Sequence, residues 1–593
     1  MDENTKKGLT ILIIALGFGI LADSLLRSFP WGLNVPIMAL IGVSAIAFLR
    51  YRIAESKFSV REILLLGAAL FFSSWFAIRD SEPLLFLNVL AILLIATILF
   101  IPAIKLNAKS SGVVHYLFSW IAMWLSMTFL PAVLLTKDMR WNSVAKRAGS
   151  QKVMLAVRGM LIAVPLLLIF GGLFAAADAA FEGFVNRAFD VVPEELALHG
   201  LFTAFFAWPA AGYLRAVTLG VSLDGEPGSD PEADGERETE MRDFAEGGVE
   251  SVTAKEEPEP VEPPTVFGER HIPSITFPVD EESARDEGAG SEEADPEIKE
   301  DIKSAPERTW SWRDLNNSIL PDFLTVGSVE VGIVLGSLNL LFFLFVLLQL
   351  PYLFGGMDLV QNQPGLKLAE YARRGFGELF FASMLVLPIL LALHWLIKRE
   401  SERAINLFRY LAAIQIGLLF VIMMSAFQRM ILYTGDLGYG MTAERFYPMA
   451  FMIWLAVIFL LFGYTVLRGL RSRFAWSASL SVLALVAVLN FVNPDDYIVR
   501  TNLELMREGR TFDAQYNAGL SADAAPALID AFTDLNEVQQ NDVLYGMRRS
   551  RCFNPPIEDL RVWNHSRKSL ESSRFYLERV HPVTCSEFRS YGH

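Results

Sequence analysis

Residues 428–447 read QRMILYTGDLGYGMTAERFY and connect two long apolar runs, residues 404–430 and 446–467. Each run is long enough to cross the hydrocarbon core of a membrane, which takes about 20 helical residues. The connector contains two arginines, two acidic residues, three glycines and three tyrosines. Because charges at a membrane edge are costly unless they are paired or hydrated, the connector is predicted to be a lock between helices or part of a site.

The rest of the chain has the same apolar character. Hydrophobic residues make up 53% of the 593 residues, and several other runs reach spanning length. The 44 phenylalanines and 12 tryptophans suit lipid-facing packing and interfacial belts. This composition excludes an ordinary soluble protein. It predicts an all-α fold, a polytopic helical membrane protein that has the lipid bilayer as its partner.

About eleven membrane spans are predicted from the apolar runs. Lysines and arginines are concentrated in short linkers such as residues 50–61 and 468–473, which the positive-inside rule assigns to the cytoplasm. The N-terminus is therefore predicted to be cytoplasmic and the C-terminus extracytoplasmic. The first run also fits a cleavable signal peptide, but we expect a retained span because the next loops then agree with the rule. The approximate spans are 8–25, 33–49, 63–78, 84–104, 159–178, 198–216, 324–350, 376–397, 404–430, 446–467 and 475–492.

Residues 113–135 are apolar enough to span, but basic residues flank them on both sides. Lys105 and Lys109 precede this run, and Lys137 and Arg140 follow it. A crossing helix would place one of these basic clusters on the outer side, against the positive-inside rule. We therefore favour an interfacial or re-entrant helix, with a crossing helix as the alternative.

A long acidic segment divides the membrane part into two halves, residues 1–218 and 323–492. Residues 221–310 contain 28 acidic and 8 basic residues, a balance of −20, so the rest of the chain carries +5 of the total of −15. Residues 219–322 show almost no apolar periodicity and are predicted to be a disordered, acidic cytoplasmic insert. A protein partner could bind this insert or the C-terminal tail. No basic stripe or recognition motif indicates a nucleic-acid partner.

The tail, residues 493–593, is predicted to be a small helical domain outside the membrane. Ser521 or Asp523 can cap a helix that continues through residues 528–535. The two cysteines of the chain, Cys552 and Cys585, both lie in this tail. They either form a disulfide in an oxidising compartment or remain two unrelated thiols.

Four stretches share a family pattern: the connector, residues 170–181 (FGGLFAAADAAF), residues 493–504 and residues 520–528. Together they resemble the bacterial multi-pass membrane proteins of the domain of unknown function 4173 family, which is related to the 4153 family. Ala179 departs from that pattern, which has a proline there. The resemblance covers residues 60–220 and 323–570. It implies a membrane protein without established chemistry, so it assigns no catalytic residue.

Ionisable residues inside membrane segments are the candidates for a polar site. Interhelical ion pairs that fix packing are the favoured interpretation, and a path for a solute or proton is the alternative. No catalytic motif, cofactor-binding motif or metal-ligand cluster is recognised, so no such residues are predicted. The candidates are Asp178, Glu330, Arg409, Arg429, Tyr433 and Arg445, while Arg215, near a helix end, is interpreted as an anchor that reaches the membrane surface.

These features favour a non-catalytic scaffold or sensor of the envelope in a bacterial inner membrane. The alternative is a transporter or channel for a small solute or ion that uses the candidate charges. A membrane transferase that uses Asp358, Asp436 and Glu444 is the weakest hypothesis, because nothing in the sequence pairs these carboxylates.

Overall fold

The computed structural model describes residues 3–54, 57–139, 194–221, 325–354, 368–397, 402–435, 440–553 and 559–580, together with Cys585. These residues form helices and turns, and their only bridge of β type joins Val326 to Ile397. The predicted all-α class is confirmed. The predicted span at 159–178, the insert and Asp178 lie outside the described residues.

Eleven long helices make up the described membrane part. Ten are long and apolar enough to cross a membrane, all except α6. Their bounds are α1 Glu3–Leu26, α2 Asn34–Leu49, α3 Val60–Ser74, α4 Glu82–Phe100, α5 Val113–Val133, α6 Glu194–Leu219, α7 Ser328–Phe354, α8 Leu368–Leu396, α9 Glu402–Thr434, α10 Ala443–Thr465 and α11 Arg471–Val492. The chain is a multi-pass helical membrane protein, as predicted.

One side of the helix assembly is covered by the tail. The tail contacts the α1–α2 loop through Leu33, the α3–α4 loop through Asp80, and the α9–α10 connector through Met441. We call this the tail side. Because α11 leads directly into the tail at Asn493, it also ends there.

The remaining helix ends meet on the other side, which we call the far side. The ends of α2 and α3 are joined there by an ion pair between Arg50 and Glu62 (2.5 Å). The bridge between Val326 and Ile397 joins the beginning of α7 to the end of α8. His199, near the beginning of α6, pairs with Asp23 near the tail-side end of α1 (2.5 Å). By these contacts α1–α4, α6 and α9–α11 run from one side to the other, and α7 begins and α8 ends on the far side. The basic linkers of the described chain lie on the far side.

The helix α5 does not follow this alternation. Near its beginning, the Tyr116 hydroxyl donates to the Ala108 carbonyl (2.8 Å), just beyond the far-side end of α4. After its end, a π-helical turn brings the Asp138 carboxylate to Arg215 Nε (2.7 Å), at the far-side end of α6. Both ends of α5 therefore lie on the far side despite its spanning length. These contacts favour the predicted interfacial or re-entrant helix over the crossing alternative.

The ion pair of Arg215 corrects its interpretation as a surface anchor. Its side chain is 1% exposed and also donates to the Gly220 carbonyl (3.1 Å). A buried guanidinium needs such partners because removing an unpaired charge from water is strongly unfavourable. Arg215 therefore ties α6 to the turn after α5.

The two largest buried apolar clusters of the described chain lie within the membrane part. The first is formed by α7–α10, with Phe408, Leu419 and Phe462 among its fully buried members. The second is formed by α3–α6 together with α11. The amides of Asn88 and Asn490 exchange two hydrogen bonds (3.0 and 2.8 Å), which fix α11 against α4. The last helix of the predicted C-terminal half therefore packs on the N-terminal half as well.

The tail has its own apolar core, which includes Val499, Leu528, Val543 and Tyr576. Its helices are α12 Pro494–Arg507, α13 Ala514–Ala518, α14 Ala525–Asp530, α15 Glu537–Phe553 and α16 His565–Ser572. Cys552 and Cys585 form a disulfide, which decides between the two states left open by the sequence. The tail is thus a small helical domain.

Candidate functional site

Two of the predicted site residues lie on the far side. Glu330, in the first turn of α7, accepts a hydrogen bond from the Gly327 N–H (3.0 Å) and so caps the helix. Arg409 donates to the Asn406 side chain (3.4 Å) in the same helix. Glu330 thus stabilises the beginning of α7, and Arg409 makes a contact within α9.

The connector brings two other predicted residues together on the tail side. The Arg445 guanidinium lies 4.6 Å from the ring centre of Tyr433, a cation–π contact, and it also donates to the Gly440 carbonyl. Arg429 lies one turn before Tyr433 near the end of α9. The predicted site is therefore divided between the two sides.

The connector is also the first of three docking points for the tail. Asn502 of α12 accepts from the Met441 N–H (2.6 Å) and donates to the Met441 carbonyl (2.9 Å). The same amide donates to Asn517 Oδ1 (2.9 Å) within the tail. The Ala443 N–H donates to the Tyr516 hydroxyl (2.8 Å) at the beginning of α10. The side-chain amide of Asn502 thus bonds to both the N–H and the carbonyl of Met441, as the backbone of a neighbouring β-strand would.

The second docking point is the α3–α4 loop, which is held by Asp523. One oxygen of this buried carboxylate accepts from the N–H groups of Asp80 (2.7 Å) and Ser81 (3.0 Å). The other accepts from the Ser566 hydroxyl (2.5 Å). Asn564 donates to the carbonyls of Phe76 (3.0 Å) and Arg79 in the same loop. Asp523 thus joins the backbone of the α3–α4 loop to Ser566 of the tail through both of its carboxylate oxygens.

The third docking point is the α1–α2 loop. The Leu33 N–H donates to the Trp563 carbonyl (2.9 Å), and Arg567 donates to the Trp31 carbonyl (2.7 Å). Gly32 lies so close to the tail that a Cβ atom there would be 2.4 Å from the Trp563 carbonyl oxygen. Only glycine allows this backbone approach.

Three carboxylates, those of Asp80, Asp495 and Asp523, share the second docking point. Burial raises the pKa of Asp80 to about 6; the Arg567 guanidinium, 3.3 Å away, opposes this shift, and the other two carboxylates add to it. Burial also raises the pKa of Asp495, although the Ser521 hydroxyl donates to it (2.5 Å) and opposes the shift. The protonation of the docking point therefore changes between mildly acidic and neutral pH.

The arrangement consists of hydrogen bonds between side chains of the tail and groups of the three loops. In the ranges that the structure covers, no three or more His, Cys, Asp or Glu side chains are grouped so that they could hold a metal ion. The carboxylates are used to accept hydrogen bonds from backbone and hydroxyl groups. The geometry is that of a polar docking surface, which we call the docking site: Asn502, Asp523, Asn564, Ser566 and Arg567 with their loop partners.

Comparison with known protein families identifies the family of this chain. A family model described as a domain of unknown function (DUF4153) matches residues 66–246 and 295–531, which is most of the chain. The chain belongs to the DUF4153 family. The predicted assignment to the 4173 family is not confirmed, whereas the relationship to its relative, DUF4153, is. Neither the curated proteins nor the solved structures contained a match to this DUF4153 protein.

Sequence reasoning did not identify the docking site as a site. Asp495, Asn502 and Asp523 lie in the family stretches at 493–504 and 520–528, and all three fall within the DUF4153 match. A signal was therefore present in Asp and Asn residues that follow the last span. Their partners, the loops near residues 32, 80 and 441, are distant in sequence, so the contacts themselves could not be read from it.

Proposed function

We propose that this DUF4153 protein is a non-catalytic scaffold of a bacterial inner membrane that holds its tail in one orientation on the membrane helices. The observation that carries the proposal is Asp523, which is 3% exposed and binds two backbone N–H groups of the α3–α4 loop. Asn502 and Arg567 bind two other loops in the same way. A domain attached at three loops presents a fixed surface to a partner protein.

The orientation of the tail is part of this proposal. The basic linkers of the described chain lie on the far side, and the positive-inside rule assigns them to the cytoplasm. The disulfide between Cys552 and Cys585 requires an oxidising compartment for the tail, which agrees with an extracytoplasmic position. Both arguments support a cytoplasmic N-terminus and an extracytoplasmic C-terminus.

An epitope tag after His593 tests the orientation. We expect an antibody to bind the tag in cells whose outer membrane has been opened while the inner membrane is intact. A tag that is detected only after lysis of the inner membrane would contradict the proposal. A tag before Met1 is the matched control and should show the opposite behaviour.

Asp523→Ala tests the docking on which the scaffold depends. The substitution leaves the N–H groups of Asp80 and Ser81 buried without an acceptor, which costs about 2 kcal/mol, or roughly a 30-fold increase in the undocked population. The measurement is the rate of trypsin cleavage after Arg567, whose side chain is only 19% exposed when the tail is docked.

Asp534→Ala is the matched control. Its carboxylate pairs with Arg507 (3.2 Å) on the tail surface, where both side chains are at least half exposed. Such an exposed pair contributes little, so this variant should be cleaved as slowly as the parent protein. Crosslinking in cells then tests the scaffold itself: partners captured by the parent and by Asp534→Ala should be lost with Asp523→Ala. Equal capture by all three proteins would argue against a scaffold.

A further inference from the structure

Arg409 lies in a membrane helix at the level expected for lipid headgroups. With 33 residues, α9 is about 50 Å long, whereas the hydrocarbon core of a membrane is about 30 Å thick. Arg409 follows the far-side end of α9 by seven residues, or about 10 Å of helix. For a helix centred in the bilayer, this position is at the edge of the hydrocarbon core. Its side chain is partly buried there.

The guanidinium of Arg409 reaches the linker between α10 and α11. A Cβ atom at Gly469 in this linker would be 3.4 Å from Arg409 Nη2. The preceding residue, Arg468, holds its guanidinium 4.8 Å from the ring centre of Tyr464, a cation–π contact. Arg473, in the first turn of α11, is exposed. The three arginines thus lie at the junction of α9, α10 and α11, which we call the arginine junction.

The arginine junction has no acidic partner in the part of the chain that the structure describes. Arg409 has one hydrogen bond there, to Asn406 Oδ1 (3.4 Å), and none of the three arginines forms an ion pair with a described residue. The sequence gives a reason, since residues 403–434 and 445–492 contain no Asp or Glu. Charges at a membrane edge are unfavourable unless they are paired or hydrated. The arginine junction therefore favours an anion from outside the chain.

One face of α10 leads from the arginine junction toward the hydrocarbon core. Leu460, Tyr464 and Arg468 follow one another at intervals of four residues and so share a helix face. Leu460 is 63% exposed and Tyr464 is 59% exposed. An apolar side chain, then a tyrosine at the boundary and then an arginine match the order of acyl chain, glycerol region and phosphate in a phospholipid. A lipid therefore fits this face better than a free anion.

We propose that the arginine junction binds the phosphate of an anionic phospholipid in the leaflet on the far side. Arg409 and Arg468 donate hydrogen bonds to the phosphate oxygens, and Arg473 adds positive charge. The acyl chains pack along Leu460 and Tyr464. This lipid site does not depend on the scaffold function proposed above.

Two phospholipids with the same acyl chains, phosphatidylglycerol and phosphatidylcholine, test the proposal. The purified full-length protein in detergent is mixed with equal amounts of both, and the lipids that stay bound are counted by mass spectrometry of the intact complexes. We expect the parent protein to retain the anionic lipid preferentially. Arg409→Gln and Arg468→Gln should each reduce this preference about fivefold, because one arginine near the membrane surface contributes about that factor. An unchanged preference in either variant would overturn the proposal.

Arg52→Gln is the matched control. Arg52 is an exposed far-side residue in the turn after α2 and does not belong to the arginine junction. The substitution removes the same charge, so the variant should keep the full preference. An equal loss in this variant would assign the preference to far-side charge in general and refute the site.

A large excess of inorganic phosphate at constant ionic strength distinguishes a lipid from a free anion. We expect the parent protein to keep phosphatidylglycerol, because the lipid is also held by its acyl chains. Displacement of the lipid by phosphate would show that the arginine junction selects a free anion, and the assignment to a lipid would then be wrong.

Discussion

At the scale of single residues, Asp80 makes the docking site sensitive to pH. Its pKa of about 6 in the docked state lies above the ordinary value of 3.8. Arg567, Arg79, Asp523 and Asp495 are the charged groups around it. The docked state binds the proton more tightly than a solvated loop does, so docking is most stable below about pH 4 and loses this contribution as the pH rises through about 6.

We therefore expect the tail to be held more tightly at about pH 5 than at about pH 7.5, by about 1 kcal/mol, reduced from the full value because the carboxylate is 26% exposed. Asp80→Asn should remove most of this difference and keep the tail docked at both pH values. The measurement is thermal unfolding of the purified protein over this pH range. Weaker docking on acidification, or an unchanged slope in Asp80→Asn, would contradict the assignment. Asp534→Asn, at the exposed pair, is the control.

Arg215 shows why the sequence alone misassigned one charge. An arginine near a helix end is usually an anchor that reaches the membrane surface. Its partner Asp138 lies 77 residues earlier, on a π-helical turn. The sequence around Asp138 does not predict this turn. In contrast, Glu330 three residues after Gly327 is a local arrangement, and its capping contact depends on near neighbours only.

At the scale of elements, α5 is the segment for which charge was a better guide than length. Hydropathy and length allow residues 113–138 to cross the membrane. Basic residues on both flanks predicted that both ends lie on one side, and the contacts of Tyr116 and Asp138 agree. The charge pattern was informative because moving a basic cluster across the membrane is costly, whereas an apolar helix can pack at the side of other helices.

Cysteines placed at the two ends of α5 test its course. Ser110→Cys and Thr136→Cys, both at exposed positions, should react with a membrane-impermeant maleimide from the same side. Lys57→Cys marks the far side, and Phe29→Cys, at a residue that is 72% exposed, marks the tail side. Labelling of Ser110→Cys and Thr136→Cys from opposite sides would mean that α5 crosses the membrane.

At the scale of the whole molecule, the disulfide connects the tail's own stability to its docking. Cys552 and Cys585 are 33 residues apart, and the segment between them contains Trp563, Asn564 and Arg567, which bind two of the three loops. Two separated cysteines were visible in the sequence, but their pairing depends on the fold of the tail, which brings their Cα atoms to 5.4 Å.

Cys552→Ser should therefore loosen the docked segment while the membrane helices stay folded. Closing a loop of this length reduces the entropy of the unfolded chain, which stabilises the folded tail by about 3–4 kcal/mol in the chain-entropy model. We expect faster trypsin cleavage after Arg567 in Cys552→Ser, and the same rate in the parent protein after reduction. The contact through Asn502 lies outside the loop and should persist, so α12 stays protected. Cleavage as slow as in the oxidised parent would mean that the α1–α2 and α3–α4 loops alone hold the segment, and that the disulfide acts only within the tail.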